Sequence, residues 1–523
     1  MAYDLVIKNG SIVDGSGIPG FSGDIAVKGD RIAAVGKVDG PARRTLDADG
    51  LVVAPGFIDH HTHMDGQIFW DPLASSSCYH GITSVIMGNC GLTLAPCRPQ
   101  DHDAAIQTFI RVEGIPRQAL EKGLPWEWET FGEYLDCMDG RLGVNAGCLV
   151  GHNAVRQYVM GDAACERKAT AAEVRAMRTE VRAALRAGAL GLSLNRNPRH
   201  LREDGSPLPT HFADEGEIFG LASEVAARHT GIIQTLGGPA GPTQAPDVHL
   251  YGELALATRR PVTWQSIRYR PEQPDYWFEM LEANAAEVRR GARLYALCNT
   301  PSMEAIGPDE ARLDAEAHIM QSPLVLLGTS DAGAHAASGN GRNFGYTTRI
   351  LGEWVRGRGA ISLEEAVSRM SSAVADLYEI PDRGLLRAGY KADIVLFDPT
   401  TVASLPCEWS YDLPGGDKRW IQAAQGIETT IVNGVPLVEH GQHTGEYPGR
   451  VMRNRLAAGP RRRAPSAPTP NGSIAIALVA AITPSLALPR KGGGDKRRTP
   501  SPLTGEGGER VSAIRMNMRL RPA

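Results

Sequence analysis

Two histidines two residues apart, His61 and His63, close an apolar stretch at residues 52–58. On a strand, side chains at i and i+2 share a face, so both imidazoles can reach one divalent ion. An HxH pair alone is often no more than two surface histidines. Here, however, a buried-type strand turns abruptly polar in Ala54-Pro55-Gly56-Phe57-Ile58-Asp59-His60-His61-Thr62-His63. Such a break in pattern marks a working site. Asp331 ends another apolar run, in Thr329-Ser330-Asp331. A carboxylate there can ligate the ion and take a proton from an attacking water; capping the next helix is its plainer use. Cys90, in Gly88-Asn89-Cys90-Gly91, offers a thiolate ligand with glycines that let an ion approach closely. A buried, inert cysteine is the ordinary alternative. His152 and His335, each beyond an apolar run, are candidate substrate contacts, as is the loop cation Arg342. Solvated loop residues are the bland reading of all three.

These residues need a frame that brings strand ends together. From residue 51 onward, apolar runs at 52–58, 83–87, 146–150, 189–194, 231–236, 261–267, 293–297 and 324–327 alternate with helical stretches. The clearest helix is 171–187, with Val174, Met177, Val181 and Leu185 on one face. Eight buried strands, each followed by a helix or long loop, predict an α/β fold, a TIM-like (β/α)8 barrel over residues 54–384. In that fold, active sites sit at the carboxyl ends of the strands. The first fifty residues read instead as short strands with turn signals at Asn9-Gly10 and Gly29-Asp30. Strand signals return at 392–397, 429–432 and 435–438, the last two joined by Asn433-Gly434. Residues 1–53 and 385–455 are therefore expected to form one small β-sandwich domain from both chain ends.

The chain has 523 residues and a formal charge of −4, which predicts neither a nucleic-acid nor a membrane partner. The total hides an asymmetry: from Leu456 onward there are 12 Lys/Arg against 3 Asp/Glu, so the preceding body carries −13. Residues 456–523 are rich in Pro, Gly and Ser and are expected to be a disordered basic tail. Part of it, TPSLALPRKGGGDKRRTPSPLTGEGGE, resembles translated bacterial intergenic repeat DNA. Eight scattered cysteines and no visible signal peptide point to the cytoplasm. No phosphate-binding glycine motif and no GxSxG nucleophile elbow is present.

The segments APGFIDHHTHMD, GNCG, SDAG, KADIVLFDP and VNGVPLVEHGQHTGEYPGRVMR resemble the amidohydrolase superfamily, and within it most the N-acyl-D-amino-acid deacylase (D-aminoacylase) branch. The resemblance covers roughly residues 1–455. It implies a zinc enzyme that cleaves a small-molecule amide with a metal-activated water. It places His61, His63 and Cys90 at metal positions, Asp331 at the catalytic aspartate and Arg342 near substrate-carboxylate recognition. The family's histidines at the fifth and sixth strand ends are replaced here by Gln234 and Gln265, and an Arg-containing segment by Gly237 and Gly238. A Gln carbonyl oxygen is a poor zinc ligand beside imidazole. One Zn2+ per chain is therefore expected, on His61, His63 and Asp331, with Cys90 as a possible fourth donor. Two rival functions share the frame: hydrolysis of a cyclic amide such as a hydantoin or lactam, and a metal-free barrel that only binds.

Overall fold

The structure, a computed structural model, describes residues 2–237, 245–307, 309–336 and 343–457. Arg342 and the basic tail beyond Ala457 lie outside the described residues. So does Gly238.

Strands from both chain ends share one nine-stranded sheet. Tyr3–Ile12 is its hub. It pairs antiparallel with Phe21–Lys28, and in parallel first with Ala42–Asp47 and then with Val52–Pro55. From the other end of the chain come Ile394–Phe397, Ile427–Val432, Val435–Glu439 and Gln442–His443. Leu5, Ile7, Ile25, Val27, Val53, Ile394 and Ile431 form its buried cluster. The sandwich expected here is one continuous ladder, because the hub strand is long enough to take different partners along its length. The Asn9-Gly10 hairpin is also corrected. The strand runs straight through it as a bulge, with Asn9 at φ 62. Gly29-Asp30 and Asn433-Gly434 do join paired antiparallel strands.

Apart from the antiparallel pair Ala403–Ser410 and Arg419–Gln425, the remaining strands are parallel and fall into two arcs. Six follow in chain order: Val150–Gly151, Gly191–Asn195, Ile232–Leu236, Val262–Ile267, Leu294–Cys298 and Val325–Leu326. The other arc holds Phe57–Asp59, Ile82–Met87, Asn145–Cys148 and, from the far end of the chain, Val451–Met452. The closed eight-stranded ladder expected from the sequence is thus not formed as one sheet. The third apolar run is broken at Leu149, where the chain passes from one arc to the other. The arcs still share an interior: Ile58 and Ile86 pack in one buried cluster with Ile232, Leu297 and Leu326. Helices cover the outside. Ala171–Ala187 is opened by a reciprocal capping box between Thr170 and Glu173, and it buries Met177, Val181 and Leu185. No helix among the described residues is long and apolar enough to cross a membrane.

Candidate active site

The apolar run 52–58 is two strands, Val52–Pro55 in the nine-stranded sheet and Phe57–Asp59 in the four-stranded arc. Beyond the second, the side chains alternate. His60 and Thr62 face backbone, with His60 Nε2 3.0 Å from Leu327 O and Thr62 Oγ1 donating to Ile86 O. His61 and His63 face the other way, their rings edge to face at 5.3 Å. The segment is tied to the loop after the last strand: Asp331 N donates to His61 O at 3.0 Å and His63 N to Ala332 O at 2.7 Å. That pairing delivers the Asp331 carboxylate between the two rings. Its Oδ1 lies 3.4 Å from His61 Nε2 and 3.1 Å from His63 Nε2.

Cys90 completes the group, with Sγ 3.4 Å from His61 Nε2. Both Cys90 and Asp331 hold a left-handed backbone, φ 55 and 54, which a side chain other than glycine's adopts at some cost. The Cys90 turn is fixed from several strands. Gln234 Oε1 accepts from Cys90 N at 2.7 Å, Asn195 Nδ2 donates to Cys90 O at 2.9 Å, and Ser193 Oγ accepts from Gly91 N at 3.0 Å. Gln265 Oε1 sits 3.3 Å from Cys90 Sγ. The two glutamines at the strand ends thus hold the cysteine by its backbone and its thiol.

Electrostatically the group is tightly balanced. Burial alone would lower His61, but Cys90 and Asp331 beside it win and raise it to about 9. His63 is likewise raised against its burial, by Glu113 and Asp331. Burial pushes the Asp331 carboxyl up, and the two imidazoles override this and hold it well below the usual carboxylate range. Asp59, buried behind them, is raised by that burial to about 7. The donor chemistry suits a divalent ion. Two imidazole nitrogens and a thiol sulfur lie within 4.8 Å of one another, and a carboxylate oxygen touches both rings. This nitrogen, sulfur and oxygen set is what a borderline-soft ion such as zinc takes. A second cluster, His249, Glu253 and Glu287, is partly exposed, and Arg290 already pairs with both of its carboxylates.

A profile of the amidohydrolase family matches residues 44–297 and 300–438. The chain belongs to the amidohydrolase family. This amidohydrolase is 31% identical over 508 residues to a D-aminoacylase of Alcaligenes xylosoxydans xylosoxydans, covering 87% of this chain and 98% of that enzyme. It also resembles a solved D-aminoacylase studied for its binuclear metal center, with one-metal activation and second-metal attenuation. That match has a TM-score of 0.68 at 25% identity, over 86% of this chain and 100% of the other. An N-acyl-D-glutamate deacylase from Bordetella bronchiseptica, solved with zinc and a phosphonate inhibitor, matches with a TM-score of 0.66 at 26% identity, over 87% and 100%.

The remaining candidates of the amidohydrolase part company with the cluster. His335 is fully buried, its Nδ1 against Glu113 O and its Nε2 2.7 Å from Asp331 O. Both ring nitrogens lie against backbone carbonyls, so the ring braces the Asp331 loop. His152 is also buried, and its Nε2 meets Glu217 Oε1 at 2.7 Å, in a set with Arg156. Sequence spacing could not separate these from free loop histidines, because ring commitment is a tertiary fact. Two residues were missed. Glu113, the last residue of helix His102–Glu113, lies 3.5 Å from His63 Nδ1, and burial raises it to about 7. His200 follows the Gly191–Asn195 strand and is held by Asn195. A strand end followed by a histidine five residues on was the only signal for it.

Proposed function

We propose that this amidohydrolase removes the acyl group from N-acyl-D-amino acids, or from linear amides close to them, at a single divalent ion held by His61, His63 and Asp331 with Cys90 as fourth donor. Zinc is the favoured ion for that donor set. The two parallel arcs act together as a (β/α)8-type barrel with the site at its carboxyl-terminal mouth. The eight cysteines are all free, which suits a reducing cytoplasm.

The observation that carries the reading is Asp331 Oδ1 between the two imidazoles, 3.4 and 3.1 Å away. An ion held by these residues would supply Lewis acidity, for polarising a carbonyl and acidifying water. The rest falls to the chain. The Asp331 carboxylate, set between the two rings, can take a proton from the attacking water and return it to the leaving nitrogen. Glu113 lies against the Nδ1 side of His63 and steadies the ring with Nε2 directed to the site. Gln234 and Gln265 offer only neutral oxygens, which supports one ion in place of two. The preference for D-amino acids rests on the named relatives.

The deciding experiment is a panel of N-acyl-D-amino acids, their L counterparts, hydantoins and lactams, assayed with added zinc beside an Asp331→Ala control. Turnover of the D panel alone, with about one ion per chain by metal analysis, is the expected result. Turnover confined to cyclic amides would move the substrate to that class, and two ions per chain, or none, would overturn the single-ion site.

A further inference from the structure

We propose that His200 is a catalytic residue of this amidohydrolase, donating a hydrogen bond from its Nε2–H to the oxygen of the scissile carbonyl as negative charge builds on it. The inference rests on the amide-hydrolysis reading above and adds a group to it.

The argument begins with Asn195, the last residue of the Gly191–Asn195 strand, which is buried. Its side-chain nitrogen has two N–H bonds. One goes to Cys90 O at 2.9 Å and the other to His200 Nδ1 at 3.1 Å. A single amide nitrogen therefore spans from the metal-side cysteine to the His200 ring, which puts that ring beside the cluster. Because the amide donates, Nδ1 must accept, and the ring's own proton is left on Nε2. Asn195 Oδ1 is occupied as well, by Asn197 N at 2.8 Å, so the amide has no freedom to flip. Among the described residues, His200 Nε2 makes no hydrogen bond.

The loop around the ring is built to hold it still. Arg196 N donates to Leu236 O at 2.7 Å, His200 N to Asn197 O at 3.1 Å, and His211 Nε2 reaches the same Asn197 O at 3.0 Å. His200 is half-buried, so one edge stays open. Burial, helped by the charge on His63 and opposed by Asp331, lowers its pKa to about 4. The ring is then neutral at working pH, and it lies in the field of two of the groups that face the substrate. A neutral imidazole fixed as an N–H donor suits an oxyanion, since it needs no reorganisation as charge develops. No bond to hydrogen breaks in this role; the proton stays on Nε2 while the hydrogen bond shortens and then relaxes as product leaves. The Nε2 atoms of His60 and His152 are already engaged, by Leu327 O and Glu217, and both ring nitrogens of His335 lie on backbone carbonyls.

The test compares His200→Ala with His200→Gln, whose side-chain amide keeps an N–H donor. The alanine variant is expected to lower kcat by about 10²–10³-fold, as loss of one oxyanion donor does, with KM and metal content little changed. The glutamine variant is expected to recover much of that loss. Equal losses in both variants, or a loss carried by KM alone, would overturn the role. A second readout needs no turnover. In metal-free protein carrying 15N-labelled histidine, the signal missing from His200→Gln should show a protonated Nε2 and a bare Nδ1. A protonated Nδ1, or a doubly protonated ring, would also overturn the proposal. A failed amide panel alongside the expected ring signal would instead count against the substrate reading.

Discussion

Each of the four clustered side chains sits where regular backbone ends. His61 and His63 follow the Phe57–Asp59 strand, and Cys90 and Asp331 stand on left-handed residues beyond two others. That is why they were legible: a polar residue breaking an apolar run is visible without a fold. Glu113 and His200 break no run, and only the packing of a helix end and a loop brings them to the site. Two outcomes belong to this scale. Asp331→Asn keeps an oxygen donor but cannot carry a proton, so initial rates should fall by about 10²–10⁴-fold. A loss below tenfold would remove Asp331 from proton transfer. The ion and a proton compete for His61, which is raised to about 9. Below that pH the ring is protonated and binding must expel the proton, so the apparent metal Kd should weaken as pH falls from 9 to 6. A chelator-competition titration that is flat across that window would contradict it.

Between the two strands of the first apolar run stands Gly56, where the chain leaves one sheet for another. A Cβ there would lie 2.2 Å from Thr83 Cγ2 and 2.3 Å from its hydroxyl. Gly56→Ala should therefore cost about 1–3 kcal/mol by overpacking, read as a lower Tm; an unchanged Tm would show that the two sheets can part at this point. The sequence showed one strand here because apolar content is continuous across the glycine, and the handover between sheets leaves no trace in hydropathy. It likewise gave no sign of the hairpin Ala403–Ser410 and Arg419–Gln425, whose alternation is weak. Helix Glu310–Gln321 carries a buried carboxyl, Glu316, which burial raises to about 7 although Tyr269 N donates to it. Below the ordinary value of 4.5 it is neutral both folded and unfolded. From there to about 7 only the unfolded chain gives up the proton, so folding loses stability as pH rises. Glu316→Gln should match the wild-type Tm near pH 4 and exceed it at pH 8, and a constant difference would refute the assignment.

Across the whole molecule, a buried polar knot joins the nine-stranded sheet to the four-stranded arc. Asp393 pairs with Arg383 and accepts from Asn145 Nδ2 at 3.1 Å and Asn433 N at 2.7 Å, while Asn433 Nδ2 donates to Asn145 Oδ1 at 2.7 Å. Asp393→Ala would leave Arg383 buried and unpaired, a loss of about 3–5 kcal/mol. Denaturant unfolding checks this, and a loss under 1 kcal/mol would mean the knot is not what couples the two parts. The alternation of strands and helices made the α/β class readable. Strand pairing at this range was not, because no local pattern says that Val451–Met452 will lie beside Asn145–Cys148. That last pairing bears on how the protein is made. Asn145 and Arg450 bond across 305 residues of chain. At roughly 5–20 residues per second of synthesis, the edge of Asn145–Cys148 leaves the ribosome about 15–60 s before its partner exists. For that interval the nascent enzyme exposes an open sheet edge beside its half-built site, and it is then that a chaperone has something to hold.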